Sequence, residues 1–152
     1  MNYLKSISRH LISFLLFVFL FFMPNVYAQK FPKDYFRSPI NVPLSLSANF
    51  GEIRPNHFHA GIDIRTQQRE GLPILAMADG YISRIKIQSY GYGKMLFMNH
   101  PNGYTSVFAH LSGYAPAIAK YLKDNQYKQE SFEIDLRPDK DLFKIKKGDT
   151  IA

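Results

Sequence analysis

The sequence predicts a mainly β fold, a twisted antiparallel β-sheet core with one inserted short helix. Residues 81–87 alternate isoleucines with Arg84 and Lys86, as a half-buried strand does. Asn102-Gly103 suits a hairpin turn because both residues tolerate a positive φ. Residues 104–111 then give a return strand whose Phe108 and His110 share one face. A hairpin between two alternating segments is typical of an antiparallel sheet.

Residues 1–28 are expected to form a signal peptide, so the protein is expected to be exported. Lys5 and Arg9 precede a Leu- and Phe-rich run over residues 11–23, and a cleavage site is expected after Ala28. The run is shorter than the roughly 20 residues that span a bilayer. We therefore expect no stable membrane span after cleavage, with an uncleaved anchor as the alternative.

The amino-acid composition limits the chemistry and the binding partners that we expect. The chain has no cysteine, which excludes disulfides and thiol chemistry. Its formal net charge is +7, which favours an anionic partner such as a cell-wall polymer. Nucleic acid is not expected, because the Lys and Arg residues are scattered among the predicted strands rather than clustered.

Two segments precede the predicted hairpin strands in the sequence. Residues 29–48 contain three prolines and are expected to form an extended lead-in over the domain. Residues 73–78 are apolar at both alternating sets of positions, which predicts a strand buried on both faces and central in the sheet.

An insertion is predicted at about residues 113–143. Pro116 suits a first helical turn, and Ile118, Tyr121 and Leu122 form an apolar stripe at helical spacing. A strand over residues 130–135 is expected to follow. The insertion could shape a substrate cleft or cover a sheet edge.

The residues that suggest chemistry lie between Arg54 and Asp63. His59 and Asp63 are four apart, so both side chains leave the same face of an extended segment, with Gly61 between them. Imidazole and carboxylate groups are zinc ligands. The spacing alone allows two ligand sets, His59 with Asp63 or the same pair with His57. Arg54 could orient a substrate or form a surface salt bridge.

His59-Ala-Gly61-Ile-Asp63 resembles the H-x-G-x-D signature of the LytM/lysostaphin-type zinc metallopeptidases, which have the duplicated-hybrid-motif fold and cut peptide cross-links of bacterial cell walls. Further segments resemble the family's motifs in the same order, and coincidence therefore becomes implausible. These segments are residues 71–80, 92–94, 100–104, 104–112 and 147–152.

The resemblance implies that residues 49–152 form the peptidase domain and that His59 and Asp63 bind Zn²⁺. It implies that His110, in a Y-x-H-L-S match, is a catalytic histidine beside the metal. The family has a later H-x-H motif with the third ligand and a second catalytic histidine. The sequence reaches Ala152 without it. We therefore expect a truncated peptidase domain with weak or no activity of its own.

The resemblance implies a secreted zinc endopeptidase whose partners are peptidoglycan peptides. The alternative is a non-catalytic LytM-like module that binds the wall or activates another peptidoglycan hydrolase. A purely structural wall-binding domain is a third possibility, which fits the basic charge.

Overall fold

The computed structural model describes Phe14, Phe17 and residues 33–152, and the chain divides into the units Met1–Pro32 and Lys33–Ala152. Phe14 and Phe17 are helical and exposed. The rest of the predicted signal peptide, residues 1–28, lies outside the described residues. None of the helices in the described part of the chain is long and apolar enough to cross a membrane.

Residues 33–152 form two antiparallel sheets and one helix, which confirms the predicted mainly β fold. Strands β1 and β2 form a two-stranded sheet, and the other strands form a five-stranded sheet in the order β5-β4-β3-β6, with β7 also paired to β3. The elements are β1 (Leu46–Ala48), β2 (Asp63–Ile64), β3 (Gly80–Ile87), β4 (Lys94–Asn99), β5 (Thr105–Phe108), α1 (Pro116–Gln129), β6 (Ile134–Leu136) and β7 (Lys144–Ile145).

The core lies on one face of the β3–β4 pair. Ile82, Ile85 and Leu96 are fully buried, and the register of the pair shifts between Ile82 and Arg84. This bulge keeps Ile82 and Ile85 on the same face although they are three residues apart, because the extra residue restores the alternation. The predicted strand over residues 81–87 is confirmed with its isoleucines in the core.

The predicted Asn-Gly hairpin is confirmed, but its return strand is shorter than expected. Gly103 has φ +85°, and its N–H donates to the His100 carbonyl at 3.0 Å. Strand β5 ends at Phe108 rather than at residue 111, because His110 takes a left-handed backbone with φ +55° that interrupts the ladder. The side-chain alternation therefore does not extend to His110.

In the run of residues 73–78, Leu75, Ala76 and Ala78 are buried and Ile74 and Met77 are half-buried, but the run does not join the five-stranded sheet. The Ala76 N–H donates to the Asp149 carbonyl at 2.9 Å, and the Leu75 N–H donates to the Pro39 carbonyl at 2.8 Å. The run therefore lies between the lead-in and the last residues of the sequence. Hydrogen bonds to these two segments satisfy its backbone N–H and C=O groups, so the run can be buried without membership of the larger sheet.

The lead-in is fixed to the domain by aromatic contacts and by one lysine. The Phe36 ring meets the buried His100 ring edge-on at 5.1 Å. Lys147 Nζ donates to the carbonyls of Asp34 and Tyr35 at 3.0 and 2.8 Å. His100 itself donates from Nδ1 to the Asp79 carbonyl at 2.8 Å, so it has a structural role.

Helix α1 begins at Pro116 as predicted and buries Ile118 and Leu122. The strand that follows it begins at Ile134 rather than at residue 130 and pairs with β3 in the register Ile85↔Leu136. This strand therefore covers the edge of β3 that β4 leaves open, since an unpaired edge would expose backbone hydrogen-bonding groups.

The close approach of β3 to β4 at Gly80 gives a stability test. An added Cβ at Gly80 would lie 2.1 Å from the Asn99 carbonyl oxygen, whereas a Cβ at Gly113 would meet nothing within 4 Å. We expect Gly80→Ala to lower the free energy of unfolding by at least about 2 kcal/mol. The matched Gly113→Ala should change it by no more than about 0.5 kcal/mol. Urea unfolding measures both, and equal effects would contradict this geometry.

The Arg84–Asp135 pair between β3 and β6 gives a pH test. Arg84 Nε donates to Asp135 Oδ1 at 2.7 Å, and this hydrogen bond lowers the pKa of Asp135 although burial acts to raise it. The pair therefore stabilises the fold above the unfolded-state pKa of about 3.9, and this stabilisation is lost as the pH falls through the lower folded-state pKa.

Because the pair is partly exposed, Asp135→Asn should cost only about 0.5–1 kcal/mol at pH 7. The difference in free energy of unfolding between Asp135→Asn and the wild type should shrink below about pH 4. Asp124→Asn is the control, because Asp124 pairs with Lys120 on the exposed surface of α1 and should cost almost nothing. A deficit that is constant with pH, measured by chemical unfolding, would exclude the ion pair as its cause.

Candidate metal centre

His59 is positioned by a tight hairpin. The Gly51 N–H donates to the His59 carbonyl and the His59 N–H donates to the Glu52 carbonyl, both at 2.8 Å. The Arg54 N–H donates to the His57 carbonyl at 2.9 Å, which closes the turn after two intervening residues. These bonds hold His59 at the end of the return arm, facing the start of β2.

His59 and Asp63 are brought together as the sequence predicted. His59 Nε2 lies 3.2 Å from Asp63 Oδ1, and the two side chains are 17% and 45% exposed. Gly61 lies beside them, where an added Cβ would be 3.9 Å from His59 Nε2. A larger side chain at this position would fill space next to the two facing atoms.

The hydrogen bonding of His59 shows what the pair can hold. His59 Nδ1 lies 3.0 Å from the Asn49 carbonyl oxygen, which can only accept, so Nδ1 carries the proton in the neutral ring. In the neutral ring Nε2 then presents a lone pair to Asp63 Oδ1 at 3.2 Å, so the two atoms can share a cation, either a proton on Nε2 or a metal ion.

The pair fits a metal ion. Two ligands of a tetrahedral zinc with bonds of about 2.0–2.1 Å lie roughly 3.3 Å apart, close to the separation of Nε2 and Oδ1. A ring N–H bonded to a backbone carbonyl is also the usual support of a metal-binding histidine.

Arg54 supports Asp63 from the other side. Arg54 Nη2 donates to Asp63 Oδ2 at 2.9 Å, and Arg54 Nε lies 3.5 Å from Glu52 Oε1. The salt-bridge interpretation of Arg54 is confirmed. The sequence did not reveal that its partner is Asp63, because the two residues are nine apart and meet only through the hairpin.

His57 does not join the pair. His57 is exposed, and its Nδ1 lies 2.6 Å from Asn56 Oδ1. Within residues 33–152, no three His, Cys, Asp or Glu residues are grouped so as to hold a metal ion. The ligand set with His57 is therefore not assembled, and metal binding by His59 and Asp63 stays a prediction.

His110 follows β5 at the surface. Its N–H donates to the Tyr92 carbonyl at 3.0 Å, and its ring lies 6.1 Å from the Tyr92 ring. Among the described residues, His110 contacts Tyr92, and no hydrogen bond or ion pair joins it to His59 or Asp63. The catalytic role of His110 stays a prediction.

Comparison with known proteins finds sequence similarity to peptidases. Residues 57–127 match the sequence model of peptidase family M23, so the LytM-type resemblance is confirmed over this segment. An uncharacterized metalloprotease of Haemophilus influenzae is 30% identical over 97 residues, which cover 58% of this chain and 19% of that protein. The DD-carboxypeptidase/endopeptidase Mpg of Neisseria meningitidis is 41% identical over 59 residues, or 39% of this chain and 13% of that protein.

The matched region spans about a fifth or less of the length of these curated relatives. No solved structure shows a significant match. Both relatives are named as peptidases, and the first is named as a metalloprotease.

The two ligand sets can be separated by metal binding to the chain itself. We expect His59→Ala and Asp63→Ala each to weaken Zn²⁺ binding at least about tenfold, because each removes one of two ligand atoms. His57→Ala is the matched control and should leave the affinity unchanged. Titration against a chromogenic chelator measures this, and a loss with His57→Ala would restore the larger ligand set.

Proposed function

We propose that this chain belongs to an exported zinc-dependent endopeptidase that hydrolyses peptide cross-links of bacterial peptidoglycan. The observation that carries the proposal is that two atoms able to bind zinc, His59 Nε2 and Asp63 Oδ1, face each other at 3.2 Å. A peptidoglycan substrate is supported by the family match and by the endopeptidase name of the Neisseria relative.

The proposed chemistry divides between the metal and this chain's residues. Zinc, when bound, lowers the pKa of a water ligand and polarises the scissile carbonyl. His59 is held in one tautomer by the Asn49 carbonyl, and Asp63 is held by Arg54, so both ligands are preorganised. The third protein ligand is proposed to be a histidine of an H-x-H motif outside the described residues.

His110 is proposed to hydrogen-bond the attacking water and the oxyanion that forms in the transition state. The support for this role is the resemblance of the segment around His110 to the Y-x-H-L-S motif. The positive φ of His110 is shared by Asp34, Gln67, Gln68 and Glu130 and does not distinguish it.

The alternative function is a wall-binding module or an activator of another peptidoglycan hydrolase. It is favoured by one observation: within residues 33–152, only two ligands are placed together, so the described residues alone do not complete a catalytic metal site. The basic net charge, which is +7 for the whole sequence and 7 − 2 = +5 without Lys5 and Arg9 of the expected signal peptide, suits binding to an anionic wall in either case.

The test is the complete gene product, incubated with purified peptidoglycan. We expect release of soluble peptide fragments that stops with a chelator and returns with Zn²⁺. His110→Gly should lower the rate about 10²–10⁴-fold, because it removes a general acid–base group. Its free energy of unfolding should fall by no more than about 0.5 kcal/mol, since glycine accepts the positive φ.

His57→Ala is the control variant and should cleave at the wild-type rate. If no variant or wild-type protein cleaves peptidoglycan but the wild type stimulates a wall amidase, the activator is the correct function. If His110→Gly keeps the full rate of cleavage, the protein is an enzyme but His110 is not catalytic.

A further inference from the structure

A shallow, open cleft of about 620 Å³ lies on the five-stranded sheet, on the face turned away from the core. Its floor is formed by side chains of β3, β4 and β5 that alternate with the buried ones. The segment 137–140, which follows β6, forms one wall. The cleft has no part in the candidate metal centre, because it contains neither His59 nor Asp63.

The floor carries an ordered polar network with unused hydrogen-bonding capacity. Asn99 Oδ1 accepts from Ser83 Oγ at 3.0 Å and from Thr105 Oγ1 at 2.8 Å, while Asn99 Nδ2 donates to Tyr81 Oη at 3.2 Å. An amide nitrogen has two donors and a hydroxyl oxygen has two acceptor sites. One Asn99 N–H and the lone pairs of Ser83 and Thr105 therefore remain for a ligand with amides and hydroxyls.

The wall adds positive charge. Arg84 is neutralised by Asp135, to which it donates two hydrogen bonds. Arg137 lies 3.7 Å from the same carboxylate and is 66% exposed, so its guanidinium is only weakly engaged. Among the described residues, no carboxylate lies within salt-bridge distance of Lys140. Arg137 and Lys140 can therefore bind a carboxylate.

The wall also limits which anion fits. Asp139 lines the cleft beside these two cations. Its carboxylate would repel a continuous polyanion, whereas a ligand with single carboxylates separated by neutral groups can place one of them against Arg137 or Lys140. Nucleic acid and polyphosphate-type polymers are disfavoured for this reason.

We propose that this cleft is a second binding site, which takes a carboxylate-bearing glycopeptide segment of the wall polymer. Its floor binds amide and hydroxyl groups, and Arg137 and Lys140 bind the carboxylate. The choice of wall material as the ligand rests on the proposed function, but the binding itself requires neither zinc nor hydrolysis.

The test is direct calorimetric titration of the full chain with soluble disaccharide-peptide fragments of peptidoglycan, in the presence of a chelator. The cleft variant is Arg137→Gln with Lys140→Gln, and the control is Lys123→Gln with Lys128→Gln, which changes the charge equally on α1. We expect the dissociation constant to rise about tenfold in the cleft variant and to stay unchanged in the control.

The same fragments with their carboxylates amidated identify the group that is bound. Amidation should weaken binding to the wild type about tenfold and have little further effect on the cleft variant. Equal binding by the cleft and control variants would overturn the proposal, as would tighter binding of inorganic polyphosphate than of the fragments.

The two proposals can fail separately. If the gene product hydrolyses no peptidoglycan but the cleft variant still loses affinity, the cleft proposal stands and the enzyme proposal fails. If hydrolysis is observed and the wild type binds no fragment under chelation, the cleft proposal fails alone.

Discussion

Strand β3 is the constraint on which the rest of the domain depends. One of its edges pairs with β4 from Tyr81↔Asn99 to Ile87↔Lys94, and the other pairs with β6 and β7. One face supplies the core and the other supplies the floor of the cleft. Gly80 allows β3 to approach β4 so closely that a side chain there would collide with the backbone. A change in the register of this strand would therefore disturb the core and the cleft together.

The candidate metal pair has a different kind of support. His59 and Asp63 lie on a hairpin and on the two-residue strand β2, outside the five-stranded sheet. Their geometry depends on the hydrogen bond that His59 donates to the Asn49 carbonyl and on the one that Arg54 donates to Asp63, rather than on core packing. Segments with few buried contacts open locally at low free energy. A metal ion bound between the two side chains would stabilise this local structure, since binding to the closed state alone shifts the equilibrium toward it.

The sequence predicted most of the elements and the closeness of His59 and Asp63, because the signals for these are local. The alternation of apolar and polar residues predicted β3, and the Asn-Gly dipeptide predicted the hairpin. Pro116 and the apolar stripe that follows it predicted α1. The sequence failed where partners are distant. It could not place residues 73–78 against residues 148–152, nor pair Arg54 with Asp63 across a turn. The end of β5 was missed because a positive φ at His110 is a backbone property that the apolar pattern does not encode.

The pairing of residues 73–78 has a consequence for how the chain folds. This run is bonded on one side to the lead-in and on the other to residues 148–152, and Lys147 also bonds a carbonyl 113 residues away. Contacts of such sequence separation form late, because a long loop must close before they contribute any free energy. The lead-in, although made early, lacks its hydrogen bonds from Lys147, and residues 73–78 lack theirs to residues 148–152, until the end of this sequence has left the ribosome. Folding of this domain is therefore expected to follow its synthesis rather than to accompany it.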